Sequence, residues 1–371
     1  MPDFVTLRMI WWLILGALLI GFAVMDGFDL GVGATFRFLG RTDEERRALL
    51  ESIEPVWEGN QVWFVLAGGV VFAAWPMLYA ASFSGLYFAM FILLGALILR
   101  PVGFTYRNKI ADPRWRNAWD WALLVGGAVP ALICGIAIGN LFLGLPFHYD
   151  ELRRPIFSGG FFDLLQPFAL LAGLVSLAML VMHGSAYAAF KVGEPMSARA
   201  AALGRVAALV FACAFVLAGL WVALALEGQR DLAGADAPAH VTLSPGGWLL
   251  HYRTHHLLWL LPAGALLSAT MTGTLLFLAR PGGAFLSSCL SVALTVLTAG
   301  VALFPFLMPS STHPDQGLTV WGASSSPHTL FIMLLAVAVF LPLILAYTAW
   351  VFSVLKGRIT LEQIRRHTGL Y

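Results

Sequence analysis

A helix that crosses a bilayer needs about 20 mainly apolar residues, and this sequence holds nine such runs. They lie at roughly 8–36, 56–75, 78–99, 119–143, 161–190, 200–226, 257–279, 284–308 and 327–355. Only 11% of the 371 residues are charged, against about 25% in soluble proteins. The expectation is an all-α integral membrane protein of nine transmembrane helices. It forms one membrane domain, residues 1–371, with no fixed-period repeat and no extramembrane domain. The first run starts almost at the N-terminus and has no small-residue cleavage site after a short core. It reads as a retained span rather than a removed signal peptide. The tight "WPM" at 75–77 joins spans two and three as a hairpin, and Pro130, Pro167, Pro262, Pro305 and Pro342 mark kinks.

Lys and Arg set the orientation. Seventeen of the 22 fall on the side away from the N-terminus, and the richer side is cytoplasmic under the positive-inside rule. The N-terminus is therefore expected outside and the tail "KGRITLEQIRRHTGLY" in the cytoplasm. A net charge of +2 without a basic tract excludes nucleic-acid binding. Cys134, Cys213 and Cys289 sit singly in apolar runs, which points away from disulfides and thiol chemistry. The inner segment 37–55 carries both signs of charge and a helical spacing at Leu49, Leu50 and Ile53, as a short interfacial helix would.

Charged groups inside a membrane are costly and face a bundle interior, a water cavity or each other. Asp26 and Asp29 share a helix face at i, i+3, and Glu54 and Glu58 share one at i, i+4. Arg100 ends span three and Asp120 begins span four, so all of these groups are placed at one depth. Three carboxylates near one Arg cannot all be ionised cheaply, which suits one of them to taking up and passing on a proton. Each residue also has a plain structural role available. Glu54 fits a solvated helix-end charge, Asp120 an acid favoured by the helix dipole, and Arg100 a snorkelling side chain. Asp26 and Asp29 suit an Asp–Arg lock between spans one and three as well as they suit a proton relay. Trp57 would wall such a path. Gly27, Gly31, Gly33, Gly68 and Gly69 are expected to permit close helix packing, and no phosphate-binding loop accompanies them.

The nine histidines speak against a haem or metal centre in this chain. Only His183 falls well inside a span, where a packed histidine is the simpler reading. His148, His240, His251, His255, His256 and His313 lie in or beside outer loops, His328 begins span nine, and His367 is in the tail. No spacing suggests a metal site, so no side chain here is expected to ligate a metal or to be catalytic directly.

The stretch "VMDGFDLGVG" followed by "IEPVWEGNQVW" resembles the start of subunit II of the bacterial cytochrome bd ubiquinol oxidase. The likeness continues through "LRPVGFTYRNKI", "RWRNAWDW", "LAGLVSLAMLVMHG", "LTAGVALFPFLMPSS" and "YTAWVF", and covers essentially the whole chain. The family's second motif usually reads WDGN; here Glu58 sets the carboxylate one methylene further out. The resemblance implies two four-helix bundles plus one additional helix. It implies a haem-bearing subunit I with two b-type haems and one d-type haem, small single-span accessory subunits, and quinol and oxygen as substrates. It also implies that a structural quinone can sit in this subunit, and that the chain resides in the bacterial cytoplasmic membrane. Its acids would feed cytoplasmic protons to the oxygen site through Glu58, Asp29, Asp26 and Arg100 beside Trp57.

Two function classes follow. One is a haem-free oxidase subunit that scaffolds its partner and delivers protons. The other is a stand-alone proton-coupled transporter, which nine spans with intramembrane acids would also fit. Transporters often carry paired broken helices in matched repeats, and no such pair is evident.

Overall fold

The structure, a computed structural model, describes residues 2–235 and 239–366; His367 lies outside the described residues. The chain opens with the long helix α1 (Phe4–Leu39), whose first turn is capped by the Asp3 carboxylate accepting from the Thr6 amide at 3.0 Å. The interfacial helix α2 (Asp43–Ile53) follows, closed by a reciprocal Thr42–Glu45 capping box. Leu49, Leu50 and Ile53 are buried as their spacing implies. Then come α3 (Trp57–Ala74), α4 (Pro76–Gly85), α5 (Tyr87–Tyr106) and α6 (Pro113–Leu143). A hairpin of β1 (Phe147–Tyr149) and β2 (Pro155–Phe157) leads to α7 (Pro167–Lys191) and α8 (Met196–Leu224). A second hairpin, β3 (Glu227–Asp231) with β4 (Val241–Pro245), and a short helix α9 (Leu250–Thr254) precede α10 (Leu260–Phe277) and α11 (Pro281–Leu303). The strands β5 (Phe306–Met308) and β6 (Leu318–Thr319), the long helix α12 (Pro327–Val354) and the short α13 (Leu361–Arg366) complete the chain.

By length and composition, eight of the described helices can cross a membrane, and the bent pair α3–α4 makes a ninth. Helices α1, α3, α5 and α6 pack as one group and α7, α8, α10 and α11 as another. Helices α1 and α6 meet α7 between the groups, and α12 lies outside against α1 and α3. The architecture is thus two four-helix groups plus one helix. Backbones approach closely both between the groups and within the first. A Cβ on Gly31 would collide with the Leu180 carbonyl and Gly184 of α7, and one on Gly127 of α6 would strike α1 at Leu30 and Ala34. Gly68 and Gly69 differ from expectation: a Cβ on either would meet nothing within 4 Å.

The region expected as a 75–77 hairpin has another form. The chain bends by 117° between α3 and α4, where Pro76 lacks the amide that would continue the ladder. It breaks again at Leu86, where the Phe157 ring packs onto Gly85 and leaves no room for a side chain. The next long helix therefore runs from Tyr87 to Tyr106, so Arg100 and Pro101 lie inside it rather than at its end. Pro130 and Pro342 fall within α6 and α12 as interior residues, whereas Pro167 starts α7 and Pro305 follows α11.

Helix α2 is fixed by charge and by one hydrogen bond. The Tyr187 hydroxyl donates to the Ser52 carbonyl at 2.6 Å, and Arg199 meets Glu45 at 2.6 Å. Burial pushes the Glu45 carboxyl up, but Arg199 and the amides of Arg41 and Thr42 more than offset it and hold it below the usual carboxylate range. A depressed carboxyl stabilises the fold above its unfolded pKa, and that contribution disappears as the pH falls through its folded value. Hydrogen exchange of the α2 amides, corrected for intrinsic pH dependence, should therefore accelerate as the pH falls below about 4. In Glu45→Gln the same amides should exchange fast already at neutral pH, with little further acid effect.

Candidate functional site

Three helices bring four polar side chains together inside the first group. Arg100 of α5 grips Asp26 of α1 with both terminal nitrogens: Nη1 donates to Oδ2 at 3.0 Å and Nη2 to Oδ1 at 2.6 Å. Asp29, one turn on, lies 3.9 Å from the same Nη2 and accepts from Asn60 Nδ2 of α3 at 2.8 Å. None of the four is more than 2% exposed. The other Asp29 oxygen, Oδ1, is buried and has no hydrogen-bond partner. One guanidinium thus sits between two carboxylates and is fully engaged by only one of them.

The α1 backbone here is held from behind by α7. His183 Nε2 bonds the Val24 carbonyl at 2.8 Å, and Tyr187 stacks on Phe28 with ring centroids 4.0 Å apart. These contacts fix the rotation of α1, and with it the face that presents Asp26 and Asp29 to α5 and α3. Pro101 removes the helical donor for the Leu97 carbonyl directly after Arg100, which frees α5 to bend at the pair.

The remaining acids lie elsewhere. Glu58 is exposed on a stripe of α3 with Val62, Val65, Gly69 and Phe72, while Asn60, Trp63 and Ala67 form the buried face. It makes no hydrogen bond or ion pair among the described residues and does not join the Asp26–Arg100 cluster. Trp57 is half-buried beside Phe104, with ring centroids 5.7 Å apart. Glu54 caps the end of α2, where burial and the neighbouring Glu51 hold its carboxyl above the usual range. Asp120 belongs to a second network: it meets Arg107 at 2.5 Å and Arg46 at 2.6 Å, and Arg107 also reaches Asp43 at 2.9 Å. Asp120, expected only at the same depth as Asp26, thus pairs apart from it. Sequence reasoning passed over Asn60. Two residues on a helix are about 200° apart, so Glu58 facing outward requires Asn60 to face inward, and that offset was the available signal.

The family model for cytochrome bd terminal oxidase subunit II matches residues 7–355. The chain belongs to this family. It is 47% identical to the cytochrome bd-I ubiquinol oxidase subunit 2 of Escherichia coli strain K12, over 99% of both chains. It is 29% identical to the cytochrome bd ubiquinol oxidase subunit 2 of Bacillus subtilis strain 168, over 96% of this chain and 97% of that one. The fold matches a chain in the structure of the bd oxidase from Geobacillus thermodenitrificans with a TM-score of 0.70 at 17% identity, covering 94% and 99%. Full-length similarity to oxidase subunits makes this chain a subunit of an oxidoreductase complex and sets aside the stand-alone transporter.

A subunit II of this family works in a complex that contains haem, and His183 does not fit haem ligation. Nδ1 bonds Ser288 Oγ and Nε2 bonds the Val24 carbonyl, each at 2.8 Å, so neither ring nitrogen is free for iron. Among the described residues, no group of three or more His, Cys, Asp or Glu side chains gathers to hold a metal ion.

The two-pronged Arg100–Asp26 contact yields a direct test. Lysine is a point charge and cannot reproduce the fork. Breaking one side of a buried pair costs about 3–5 kcal/mol, whereas removing both charges costs far less. Arg100→Lys and Asp26→Asn should each reduce the yield and thermal midpoint of the purified complex. The double variant Asp26→Asn/Arg100→Gln should recover part of both. Equal loss in the double variant, or no loss in the singles, would contradict a buried lock.

Proposed function

We propose that this chain is the haem-free subunit of a quinol-oxidising, oxygen-reducing complex and that it delivers protons through Asp29. The observation that carries the reading is the unpartnered, buried Asp29 Oδ1 beside an Arg100 already occupied by Asp26. Two carboxylates around one guanidinium leave the cluster one positive charge short, and a proton on Asp29 supplies it. Asp26 and Arg100 form the fixed pair, Asn60 orients Asp29, and Arg100 tunes it from 3.9 Å. Glu58 serves as the entry station on the exposed stripe of α3, with Trp57 limiting water beside it.

The same stripe supports a docking face for the partner. It presents Val62, Val65 and Phe72 outward, and α12 next to it buries only Leu330 within this chain. We assign this face to the haem-bearing subunit I, so that protons pass from Glu58 and Asp29 toward the shared boundary. The partner's two b-type haems and one d-type haem would supply the redox chemistry. Small single-span accessory subunits and a structural quinone complete the assembly. The Lys and Arg asymmetry supports a cytoplasmic-membrane protein with its N-terminus outside and its C-terminus inside, which places Glu58 on the proton-supplying side.

Quinol-driven oxygen consumption per assembled haem tests the assignment. Asp29→Asn keeps the Asn60 contact and the Asp26–Arg100 pair but cannot ionise. It should lower turnover about tenfold or more with haem content near wild type. Glu58→Gln should slow turnover less, since Glu58 stands outside the Asp26–Arg100 cluster, and Glu58→Asp should retain most of it. Wild-type turnover in Asp29→Asn, at a pH where proton supply limits the rate, would remove Asp29 from the route.

A further inference from the structure

At the end of the molecule formed by the α6–α7 and α11–α12 connections, two histidines face each other. His148 is the middle residue of β1, and His313 lies between β5 and β6. Their ring centroids are 4.9 Å apart with planes 37° from parallel. His148 is half-buried and His313 exposed, so the pair borders water. Neither ring nitrogen makes a hydrogen bond among the described residues.

The backbone beneath the pair is tied on both sides. The Thr312 hydroxyl donates to the Phe147 carbonyl at 2.9 Å, and the Tyr149 amide donates to Gln316 Oε1 at 2.6 Å. The His313 amide donates to the Ser310 hydroxyl at 3.1 Å, and that hydroxyl donates to the Phe147 carbonyl. The residues flanking each histidine are therefore fixed relative to the other strand, and the approach of the imidazoles follows from the backbone.

The spacing matches a chelate. Two imidazoles bound to one tetrahedral ion at about 2.1 Å, with about 1.2 Å from nitrogen to ring centre, have centroids about 5.4 Å apart. The observed 4.9 Å is reached from that arrangement by a small side-chain rotation. Neutral imidazole suits zinc and copper, and a preset pair of ligands lowers the ordering cost of binding. We propose that His148 and His313 form a two-imidazole site for a divalent transition-metal ion of the Zn²⁺ class, its other positions taken by water. The site is separate from the Asp26–Arg100 cluster and does not depend on the proton route.

The test uses the whole purified oxidase complex, stripped with chelator and titrated with Zn²⁺ against a chromogenic zinc indicator. The wild type should show a site that His148→Asn and His313→Gln each weaken by about tenfold or more. The double variant should be no weaker than either single, because one imidazole alone no longer chelates. Haem spectra confirm assembly of each variant. In the unmodified complex, Zn²⁺ should protect His148 and His313, but not His240, from diethylpyrocarbonate as read by mass spectrometry. Unchanged affinity in both single variants, or modification of both histidines at the same rate with and without Zn²⁺, would overturn the site.

Discussion

The forked contact between Arg100 and Asp26 organises the rest of the site. Its two hydrogen bonds, at 3.0 and 2.6 Å, cross from α5 to α1 in a region with almost no solvent exposure. A charge that cannot reach water has to meet its counter-charge, and the planar guanidinium meets a carboxylate best edge to edge. Once Asp26 holds that edge, Asp29 is left beside the cation without its full hydrogen bonding, and Asn60 supplies only one of the bonds it can accept. The proposed proton-carrying role of Asp29 rests on this asymmetry between two aspartates one helical turn apart.

That asymmetry depends on how closely α1 is clasped from its other sides. Gly31 and Gly127 let α7 and α6 approach to backbone distance, and His183 and Tyr187 fix the turn that precedes Asp29. A second charged network, Asp120 with Arg46 and Arg107, anchors α2 to the end of α5 and the start of α6. Keeping the two networks apart leaves Arg100 without further anionic partners beyond Asp26 and Asp29 among the described residues, so the first cluster retains an odd charge.

Much of this was legible in the sequence because lipid leaves the backbone few options. Apolar runs of span length have to be helices, and Asp26 and Asp29 stood out as acids inside one. Helix rotation was not legible. Which aspartate Arg100 takes, that Asn60 turns inward while Glu58 turns outward, and that Asp120 pairs with Arg46 and Arg107 all depend on azimuths that apolar runs do not encode. The break at Leu86 lies beside Gly85, whose packing against Phe157, a residue far along the chain, was equally hidden. The approach of His148 to His313 was hidden for the same reason, since the pairing of distant loops sets it. The neutral amide of Asn60 escaped notice because attention to charge passes over uncharged polar groups in a span.

The central claim is that Asp29, and not Asp26, carries the exchangeable proton of this cluster. Reduced-minus-oxidised infrared difference spectroscopy of the purified complex in H₂O and D₂O reads that proton through the carboxyl C=O stretch. The account predicts a deuterium-sensitive carboxyl band that disappears in Asp29→Asn and persists in Glu58→Gln. A band unchanged in Asp29→Asn would contradict it and leave both aspartates as partners in a purely structural lock.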